Sequence, residues 1–248
     1  MANQYFIDRD FPAAGEEFSV EGQTRHHIFK VMRAKNGAEF ELVFNDGRIG
    51  LAEVVNAENG SMRVLKEIHR NTELPIEVTI AVGFPKGDKL DFIVEKATEL
   101  GAAAVWGAPF DWSVVKWNAE KLAKKRDKLS KIAQGAAEQS KRNFIPSIEL
   151  FGKLPELTEK FDEFDKVLIA YEESAKKGET TRFVQILAEQ PKKLLIIFGP
   201  EGGISPREIY KFLEDGAVPV SLGPRILRAE TAPLYALSVV SAVTELEK

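Results

Sequence analysis

The feature that most constrains the fold is an uninterrupted apolar run, LLIIF at residues 194–198, that ends in a glycine-rich turn, GPEGG at residues 199–203. Apolar residues without alternation are typical of a strand buried on both faces, as the strands of parallel sheets are. A helix start follows, with Ser205 as the N-cap, Pro206 at the first helical position and Glu208 completing a capping box. Strand, glycine turn and capped helix together predict an α/β sheet, with the turn at the edge where such sheets bind ligands.

A second glycine turn lies nearer the end of the chain. Gly223 and Pro224 follow a strand-like run at residues 217–222 and lead into residues 225–232, where two arginines and a glutamate interrupt apolar positions. Neither turn has the G-x-G-x-x-G spacing of a dinucleotide fingerprint, and no G-K-[ST] of a P-loop follows the first turn. Pro200 also lacks the N–H group that a phosphate cradle would use. The first turn alone is compatible with an ordinary strand-to-helix connection, but the two turns together indicate a ligand site of another kind.

Strand and helix patterns alternate from about residue 76 to residue 246. Further strands are predicted at residues 76–82 and 166–170, and helices at residues 88–100, 117–142, 181–190 and 230–248. The first of these helices begins at Asp88 as N-cap and is followed by Gly101, a residue type that is frequent just beyond a helix end. This alternation predicts a mainly parallel sheet with helices on both faces.

The residues before about position 70 predict a small β-rich module. Strand-like runs at residues 40–44, 51–55 and 62–68 are separated by two turn signals, NDG at residues 45–47 and ENG at residues 58–60. The exception is a helix predicted at residues 24–35, with Ile28, Val31 and Met32 on its apolar side and Asn36-Gly37 at its end. A polar, proline-containing segment at residues 71–75 indicates a linker between two domains, 1–72 and 73–248.

The composition excludes several classes of site. The chain has no cysteine, which excludes disulfides, zinc–thiolate sites and thiol nucleophiles. His26 and His27 do not predict a metal site, because adjacent helical positions diverge by about 100° and no carboxylate cluster is near them in the sequence. The amino-terminal residues lack the apolar core of a signal peptide and no run has transmembrane length, so we expect a cytoplasmic protein without a membrane partner.

The net charge of −4 predicts no general affinity for nucleic acid, so any RNA contact must depend on local patches. Residues 116–142 contain nine basic and three acidic residues, and apolar residues at helical spacing leave one face of this helix positive. The helix at residues 24–35 has a second basic face. Each patch is either a surface that contacts phosphates or a solvated helix face, and its sequence alone does not distinguish the two.

The glycine turns are also where the sequence becomes similar to a known family. GPEGG, together with LGPRILRAETA at residues 222–232, resembles the SPOUT methyltransferases, and most closely the ribosomal RNA uracil-N3 methyltransferases of the RsmE type. The resemblance continues in HHIFKVMRAKNG at residues 26–37, KGDKLDFIVEKATELG at 86–101 and AAEQSKR at 136–142. It therefore covers nearly the whole chain in the order of the family.

This resemblance implies a fold more specific than the patterns predict. It implies an α/β protein (α+β overall) with a small PUA-like, RNA-binding β-barrel at residues 1–72 and a SPOUT α/β methyltransferase domain at residues 73–248. About residues 194–240 would form a deep trefoil knot, which the ordinary rules of chain topology do not predict. The cofactor would be S-adenosyl-L-methionine, bound in the knot with its adenine held mainly by backbone groups. A homodimer with its sites beside the interface is also implied.

The implied reaction is methylation of N3 of a specific uridine in 16S ribosomal RNA of the small ribosomal subunit, with no metal ion. Arg228 is the candidate for stabilising the uracil anion, and Glu201 or Glu230 is the candidate for accepting the N3 proton or orienting Arg228. The implied cofactor-binding residues are Gly199, Pro200, Glu201, Gly202, Gly203, Leu222, Gly223, Ile226, Leu227, Arg228 and Thr231. The implied RNA-binding residues are Arg25, His26, Lys30, Arg33, Lys86, Lys89, Gln139 and Arg142.

Three alternative functions stay open at this point. Another SPOUT RNA methyltransferase would modify a ribose 2′-hydroxyl or a different base. A non-catalytic RNA-binding factor in ribosome assembly would have the same fold but no affinity for the cofactor. An unrelated enzyme would bind a phosphate ligand with residues 199–203 at a helix N-terminus, which Pro200 and Glu201 disfavour.

Overall fold

A computed structural model describes residues 2–171 and 181–246 of the chain, which form two compact units. The first unit comprises Met1–Glu73 and Ala137–Phe144, and the second comprises Leu74–Ala136 and Ile145–Lys248. The end of the first unit at Glu73 lies within the segment predicted as a linker. No pattern in the sequence indicates that Ala137–Phe144 belongs to the first unit, because this segment continues the pattern of a helix in the second.

The first unit is built on a five-stranded sheet. The strands are β1 (Gln4–Phe6), β2 (Glu17–Ser19), β3 (Glu39–Val43), β4 (Ile49–Asn56) and β5 (Ser61–Ile68). They lie in the order β1-β3-β4-β5-β2 and are antiparallel except for the parallel pair β1 and β3. Register shifts between β4 and β5 accompany the curling of this sheet into a half-barrel around a core that includes Ile28, Leu42 and Met62. The three predicted strands and both predicted turns are confirmed, and Gly47 and Gly60 have positive φ there.

The helix of the first unit is shorter than predicted. It consists of α1 (Gly22–His26) and a π-helical turn (His27–Val31), and it ends before Arg33, which has a φ of 53°. The predicted end at Asn36-Gly37 is therefore wrong. Met32 N donates to His27 O, five residues back, and this wider turn rotates the following side chains away from the core. Val31 is accordingly 54% exposed and Met32 47% exposed, so of the predicted apolar side only Ile28 is buried.

The second unit is built on a six-stranded sheet that is parallel throughout the described residues, as predicted. Its strands are β6 (Glu77–Gly83), β7 (Ala104–Ala108), β8 (Ser147–Leu150), β9 (Lys166–Ala170), β10 (Lys193–Phe198) and β11 (Val218–Val220). They lie in the order β11-β9-β10-β6-β7-β8. β10 lies between β9 and β6, and because helices cover both faces of the sheet its residues from Leu194 to Phe198 are all buried, as the unbroken apolar run indicates.

Helices cover both faces of this sheet, as predicted. They are α2 (Lys89–Glu99), α3 (Ala119–Gln139), α4 (Leu154–Thr158), α5 (Arg182–Ala188), α6 (Pro206–Glu214) and α7 (Thr231–Ser241), which continues as a π-helical turn (Ala242–Leu246). Alternate residues of β10 point to opposite faces. Leu194 and Ile196 pack in a cluster that includes residues of α2 and α7, while Leu195 and Ile197 pack in one that includes residues of α4 and α6. None of the helices in the described part of the chain is both long and apolar enough to cross a membrane.

The helix start that the sequence predicts at Ser205 is confirmed atom by atom. Ser205 Oγ accepts a hydrogen bond from Glu208 N at 3.2 Å, and Glu208 Oε2 accepts one from Ser205 N at 2.9 Å. Glu208 is buried, and its other oxygen accepts a hydrogen bond from Asp111 N at 2.7 Å, which joins the loop after β7 to the start of α6. The glycine turn between β10 and α6 is therefore held at a fixed helix start. Asp88 occupies the N-cap position of α2, but its side chain makes no capping hydrogen bond.

Candidate active site

A cavity of about 660 Å³ opens at the carboxyl ends of β9 and β10. The first glycine turn lines it, together with residues 226–229 after the second turn and the last residues of the two strands, Ala170 and Phe198. A smaller cavity of about 120 Å³ adjoins it around the second turn and is lined by Leu222, Gly223 and Arg225. The predicted cofactor-binding residues that line the larger cavity are Gly199, Pro200, Glu201, Gly202, Gly203, Ile226, Leu227 and Arg228. Thr231 lines neither cavity and is the first residue of α7.

The first turn requires glycine for reasons of space as well as conformation. Gly203 N donates to Pro200 O at 2.8 Å, which closes the turn, and Gly203 has a φ of 82°. A Cβ on Gly199 would lie 2.8 Å from the Gly203 carbonyl carbon, and a Cβ on Gly202 would lie 2.8 Å from Trp112 Cβ. These distances are too short for any side chain. Backbone atoms, rather than side chains, therefore form this wall of the cavity.

The second turn presents open backbone and uncovered apolar surface. Gly223 has a φ of 98°, and a Cβ built on it would have no atom within 4 Å. Its N–H donates to Ser221 Oγ at 3.1 Å, which holds the bend. Ile226 lines both cavities and is 80% exposed, although it is a large apolar residue. A ligand that covers Ile226 and approaches Gly223 closely would complete this part of the site.

A lysine on α2 joins the first turn to the segment just before α7. Lys89 Nζ lies 3.0 Å from Glu201 Oε1 on the first turn and 3.0 Å from Glu230 Oε2 just before α7. The Glu230 contact is an ion pair without hydrogen-bond alignment. Lys86 N also donates to Glu201 Oε1 at 3.1 Å. The start of α2 therefore holds the first turn and the segment before α7 through charge. The side chain of Lys89 is engaged by two carboxylates, and its contact with RNA stays a prediction.

The ion pairs change the proton affinity of these groups. Burial raises the pKa of Glu201, but hydrogen bonds from backbone N–H groups and from Lys89 outweigh it, so the pKa lies below its ordinary value. A backbone N–H holds the pKa of Glu230 below its ordinary value against the effect of burial, with a further contribution from Lys89. The two carboxylates in turn raise the pKa of Lys89. A lowered pKa makes each carboxylate a weaker base, which favours a role as an ionised partner of Lys89 over acceptance of the N3 proton.

Arg228 combines a fixed backbone with an exposed side chain. Its carbonyl oxygen accepts hydrogen bonds from Thr231 N at 2.9 Å and Ala232 N at 3.0 Å, at the start of α7. The residue is exposed and lines the larger cavity. Within the described residues no ion pair joins Arg228 to Glu230. The guanidinium is therefore positioned to meet a negative charge on a bound molecule, and Glu230 does not orient it through a direct ion pair.

Two further residues predicted to contact RNA have structural roles within the first unit. Arg142 is only 3% exposed and its guanidinium pairs with Glu73, so little of this side chain is accessible, and its contact with RNA stays a prediction. Arg25 donates to the carbonyl oxygens of Asn59 at 2.7 Å and Glu58 at 3.3 Å, against the turn at Gly60. The predicted RNA-binding residues with exposed positions are His26, Lys30, Arg33, Lys86 and Gln139.

Three of the six basic residues of α3 make local contacts. Lys124 Nζ lies 2.7 Å from Glu120 Oε1, and Lys128 pairs with Asp91. Lys125 Nζ lies 5.4 Å from the centre of the Trp117 ring. These contacts favour the interpretation of this helix as a solvated, internally paired face. Across residues 2–171 and 181–246, no group of three or more histidine, cysteine or acidic side chains is arranged to hold a metal ion.

Two aromatic residues of the site were not predicted. Trp112 lies on the loop after β7 and Tyr171 follows β9, and both line the larger cavity. Neither belongs to a motif or a periodic pattern. The available signal was positional, because both residues come shortly after the carboxyl end of a buried parallel strand.

Comparison with known proteins gives the same assignment. Residues 72–241 match the family described as the RNA methyltransferase domain, and residues 20–67 match the RNA methyltransferase PUA domain. The chain is 46% identical to ribosomal RNA small subunit methyltransferase E of Bacillus subtilis, over 98% of this chain and 97% of that protein. The protein of the same name from Mycobacterium tuberculosis is 31% identical, over 98% of this chain and 93% of the relative.

A solved structure extends the comparison to the fold. A putative methyltransferase from Legionella pneumophila, determined in complex with the bound cofactor SAM, is 28% identical with a TM-score of 0.85, over 98% of both chains. Sequence and fold thus agree over nearly the full length of the chain. The chain therefore belongs to the RNA methyltransferase family that includes the ribosomal RNA small subunit methyltransferase E proteins.

Proposed function

We propose that this chain transfers a methyl group from S-adenosyl-L-methionine to N3 of a specific uridine in 16S ribosomal RNA. The observation that carries the proposal is one cavity, at the carboxyl ends of parallel strands, that is lined by the first glycine turn, by the segment after the second turn and by the exposed Arg228. The name of the Bacillus subtilis relative supports a substrate in the small ribosomal subunit, and the Legionella pneumophila complex supports the cofactor. The N3 position rests on the resemblance of GPEGG and LGPRILRAETA to uracil-N3 methyltransferases.

The residues of the two turns fit S-adenosyl-L-methionine. Gly199 and Gly202 leave no room for side chains, so backbone groups of the first turn are free to approach a ligand. Leu222, Ile226 and Leu227 supply apolar walls, and the open backbone at Gly223 suits the edge of an adenine ring. When bound, the cofactor supplies an already activated methyl group on a sulfonium. The protein then has to position the two reactants, a contribution of roughly 7–11 kcal/mol at its upper limit.

Arg228 stabilises the negative charge that uracil develops when its N3 proton passes to solvent water, which reaches this exposed side chain. A fixed cation aimed at developing charge is the kind of interaction that lowers a transition state more than a ground state. Glu201 and Glu230 hold Lys89 between them and keep the two turns in register with each other. The ionised carboxylates also oppose the approach of a phosphate to this end of the cavity, which directs the base rather than the backbone of the RNA toward Arg228.

Replacing Lys89 with methionine should destabilise the protein by about 1–3 kcal/mol at neutral pH, because two partly buried carboxylates lose their cation. The lowered pKa values of Glu201 and Glu230 give the sign of the pH dependence. The contribution of these two carboxylates to stability is present above the ordinary carboxyl pKa and is lost as the pH falls through the lowered pKa. Thermal unfolding of wild type and variant should therefore differ at pH 7 and converge in acid. Lys86→Met is the matched control, because only its backbone contacts Glu201, and an equal loss in the control would contradict this role of Lys89.

The first unit is proposed to contact the RNA, as the match to an RNA methyltransferase PUA domain supports. The double variant Lys30→Gln, Arg33→Gln should weaken RNA binding and reduce the salt slope by about 0.7–0.9 for each phosphate that the variant no longer neutralises. The comparison variant neutralises Lys124, Lys125 and Lys128, whose local partners predict a smaller effect. Filter binding at several salt concentrations measures both. The reverse order of effects would place the phosphate-contacting surface on α3.

Three further features belong to the proposal. The family resemblance supports a deep trefoil knot at about residues 194–240 and a homodimer. Helix α7 supports the dimer because apolar residues such as Tyr235 and Leu246 are exposed. Sedimentation equilibrium of wild type and a Tyr235→Glu variant tests it, since a monomer at all concentrations excludes a stable dimer. A substrate in ribosomal subunits also supports a cytoplasmic site of action.

A further inference from the structure

An exposed tryptophan lies at the rim of the larger cavity. Trp112 is 48% exposed, which is unusual for a side chain with such a large apolar surface. Its ring lies over the first glycine turn, with ring atoms Cζ3 and Cε3 at 3.8 and 3.9 Å from the position of a Cβ built on Gly203. The indole is thus backed by glycine backbone on one side and lines the cavity that Arg228 also lines.

The loop that carries Trp112 is held rigidly on both sides of it. Asp111 N donates to Glu208 Oε1 at 2.7 Å, and Asp111 Oδ2 accepts from Ser205 Oγ at 2.7 Å. Arg207 adds a hydrogen bond to Asp111 Oδ1 at 2.8 Å. On the other side, the buried Ser113 donates through its N–H to Phe110 O at 3.0 Å and accepts from Phe110 N at 3.1 Å. The neighbours of Trp112 are fixed while its own ring is left uncovered.

Trp112 and Arg228 line the same cavity, and neither lines the smaller one around Gly223 where the adenine of the cofactor is placed. Trp112 and Arg228 therefore lie away from the adenine, and the part of the larger cavity that they line is the substrate end; the first glycine turn, which lines the same cavity, is assigned to the cofactor. The substrate end then holds a flat aromatic face, on which an extruded pyrimidine stacks, and a cation, which compensates the negative charge of its anion. An enzyme that acts on a base in folded RNA must unstack it, and a new stacking partner offsets that cost.

We propose that the indole of Trp112 stacks on the uracil that is methylated and holds it against Arg228. This inference rests on the proposed function and adds the residue that captures the flipped base. Stacking on an aromatic side chain contributes about 1–3 kcal/mol per base. The rigid loop means that little side-chain freedom is lost when the base binds.

The test compares Trp112→Ala and Trp112→Phe with wild type under single-turnover conditions, on small-subunit ribosomal RNA. We expect the alanine variant to lose about 5- to 150-fold in kcat/KM for RNA, the equivalent of one stacked base. The phenylalanine variant should retain most of the activity because it keeps an aromatic face. The affinity of both variants for S-adenosyl-L-methionine, measured by calorimetric titration, should equal that of wild type. Val114→Ala, an exposed position on the same loop that does not line the cavity, is the control for loop stability.

A second arm uses an RNA oligonucleotide in which the methylated uridine is replaced by an abasic site. Trp112→Ala should weaken binding of the intact RNA but leave binding of the abasic RNA unchanged, because the stacking partner is absent there. An equal penalty with both RNAs, a parallel loss of cofactor affinity, or the same loss in Val114→Ala would each overturn the proposal. If wild type itself transfers no methyl group to RNA, the proposed function fails and not the stacking role alone.

Discussion

Replacing Arg228 with alanine should lower the single-turnover rate of RNA methylation by about 10²- to 10⁴-fold. The reason is electrostatic. Among the described residues that line the larger cavity, Lys89 is already paired with two carboxylates, whereas the exposed guanidinium of Arg228 has no such pair. Its loss leaves the uracil anion without a compensating charge in the transition state. Affinity for S-adenosyl-L-methionine should stay nearly intact, because Arg228 fixes the start of α7 through its carbonyl oxygen rather than its side chain.

The control for this prediction is Arg225→Ala. Arg225 is exposed and lines only the smaller cavity, so its loss removes the same charge from the surface without removing it from the substrate end. Rapid-quench measurement with saturating cofactor and RNA gives the rate of the chemical step in each variant. A wild-type rate in Arg228→Ala, or equal losses in the two variants, would remove Arg228 from the mechanism.

Replacing Gly199 with alanine should abolish or strongly weaken cofactor binding. The new Cβ would lie 2.8 Å from the carbonyl carbon of Gly203, which is backbone and not able to rotate away. Relief of this clash requires the turn to open, at a cost of about 1–3 kcal/mol for overpacking. The opened turn no longer presents the same backbone groups to the ligand. Calorimetric titration with S-adenosyl-L-methionine measures the loss, with thermal unfolding recorded on the same sample.

Gly135→Ala is the matched control, because this glycine lies within α3 and a Cβ there meets no atom within 4 Å. It should bind the cofactor normally and be more stable than wild type by about 0.5–1 kcal/mol. A second variant, Gly203→Trp, places a bulky side chain at the turn, on a residue whose φ is 82°. Normal binding by both Gly199→Ala and Gly203→Trp would mean that the cofactor does not use this turn.

The predictions from sequence are correct where a feature depends on residues that lie close together in the chain. The capping box at Ser205 and Glu208 has its two hydrogen bonds between residues three apart, so a short motif contains all of it. The buried run at residues 194–198 predicted the central strand because only a strand covered on both faces tolerates so many consecutive apolar residues. The glycine turns were predicted because the local backbone requires glycine there, and their contact with a ligand stays a prediction.

The sequence failed where partners lie far apart in the chain. Nothing in the sequence near Lys89 indicates its two carboxylate partners, Glu201 and Glu230, which lie on loops more than 100 positions later, and its contact with RNA stays a prediction. The partner of Arg142 was missed in the same way, because Glu73, which pairs with its charge within the first unit, lies 69 positions earlier. A basic residue in an exposed helical pattern carries no sign of such a partner. The end of the first helix was also missed. The π-helical turn at His27–Val31 changes which side chains face the core, and no distinctive residue marks it in the sequence.

The central claim is tested most directly by identifying the methylated atom. Wild-type protein is incubated with small-subunit ribosomal RNA and methyl-labelled S-adenosyl-L-methionine, and the digested nucleosides are analysed by mass spectrometry. The account predicts 3-methyluridine at a single position, with little or none formed by Arg228→Ala in the same time. Label in a ribose 2′-hydroxyl or in another base would contradict the assigned target, and RNA binding without any transfer of label would contradict the methyltransferase activity itself.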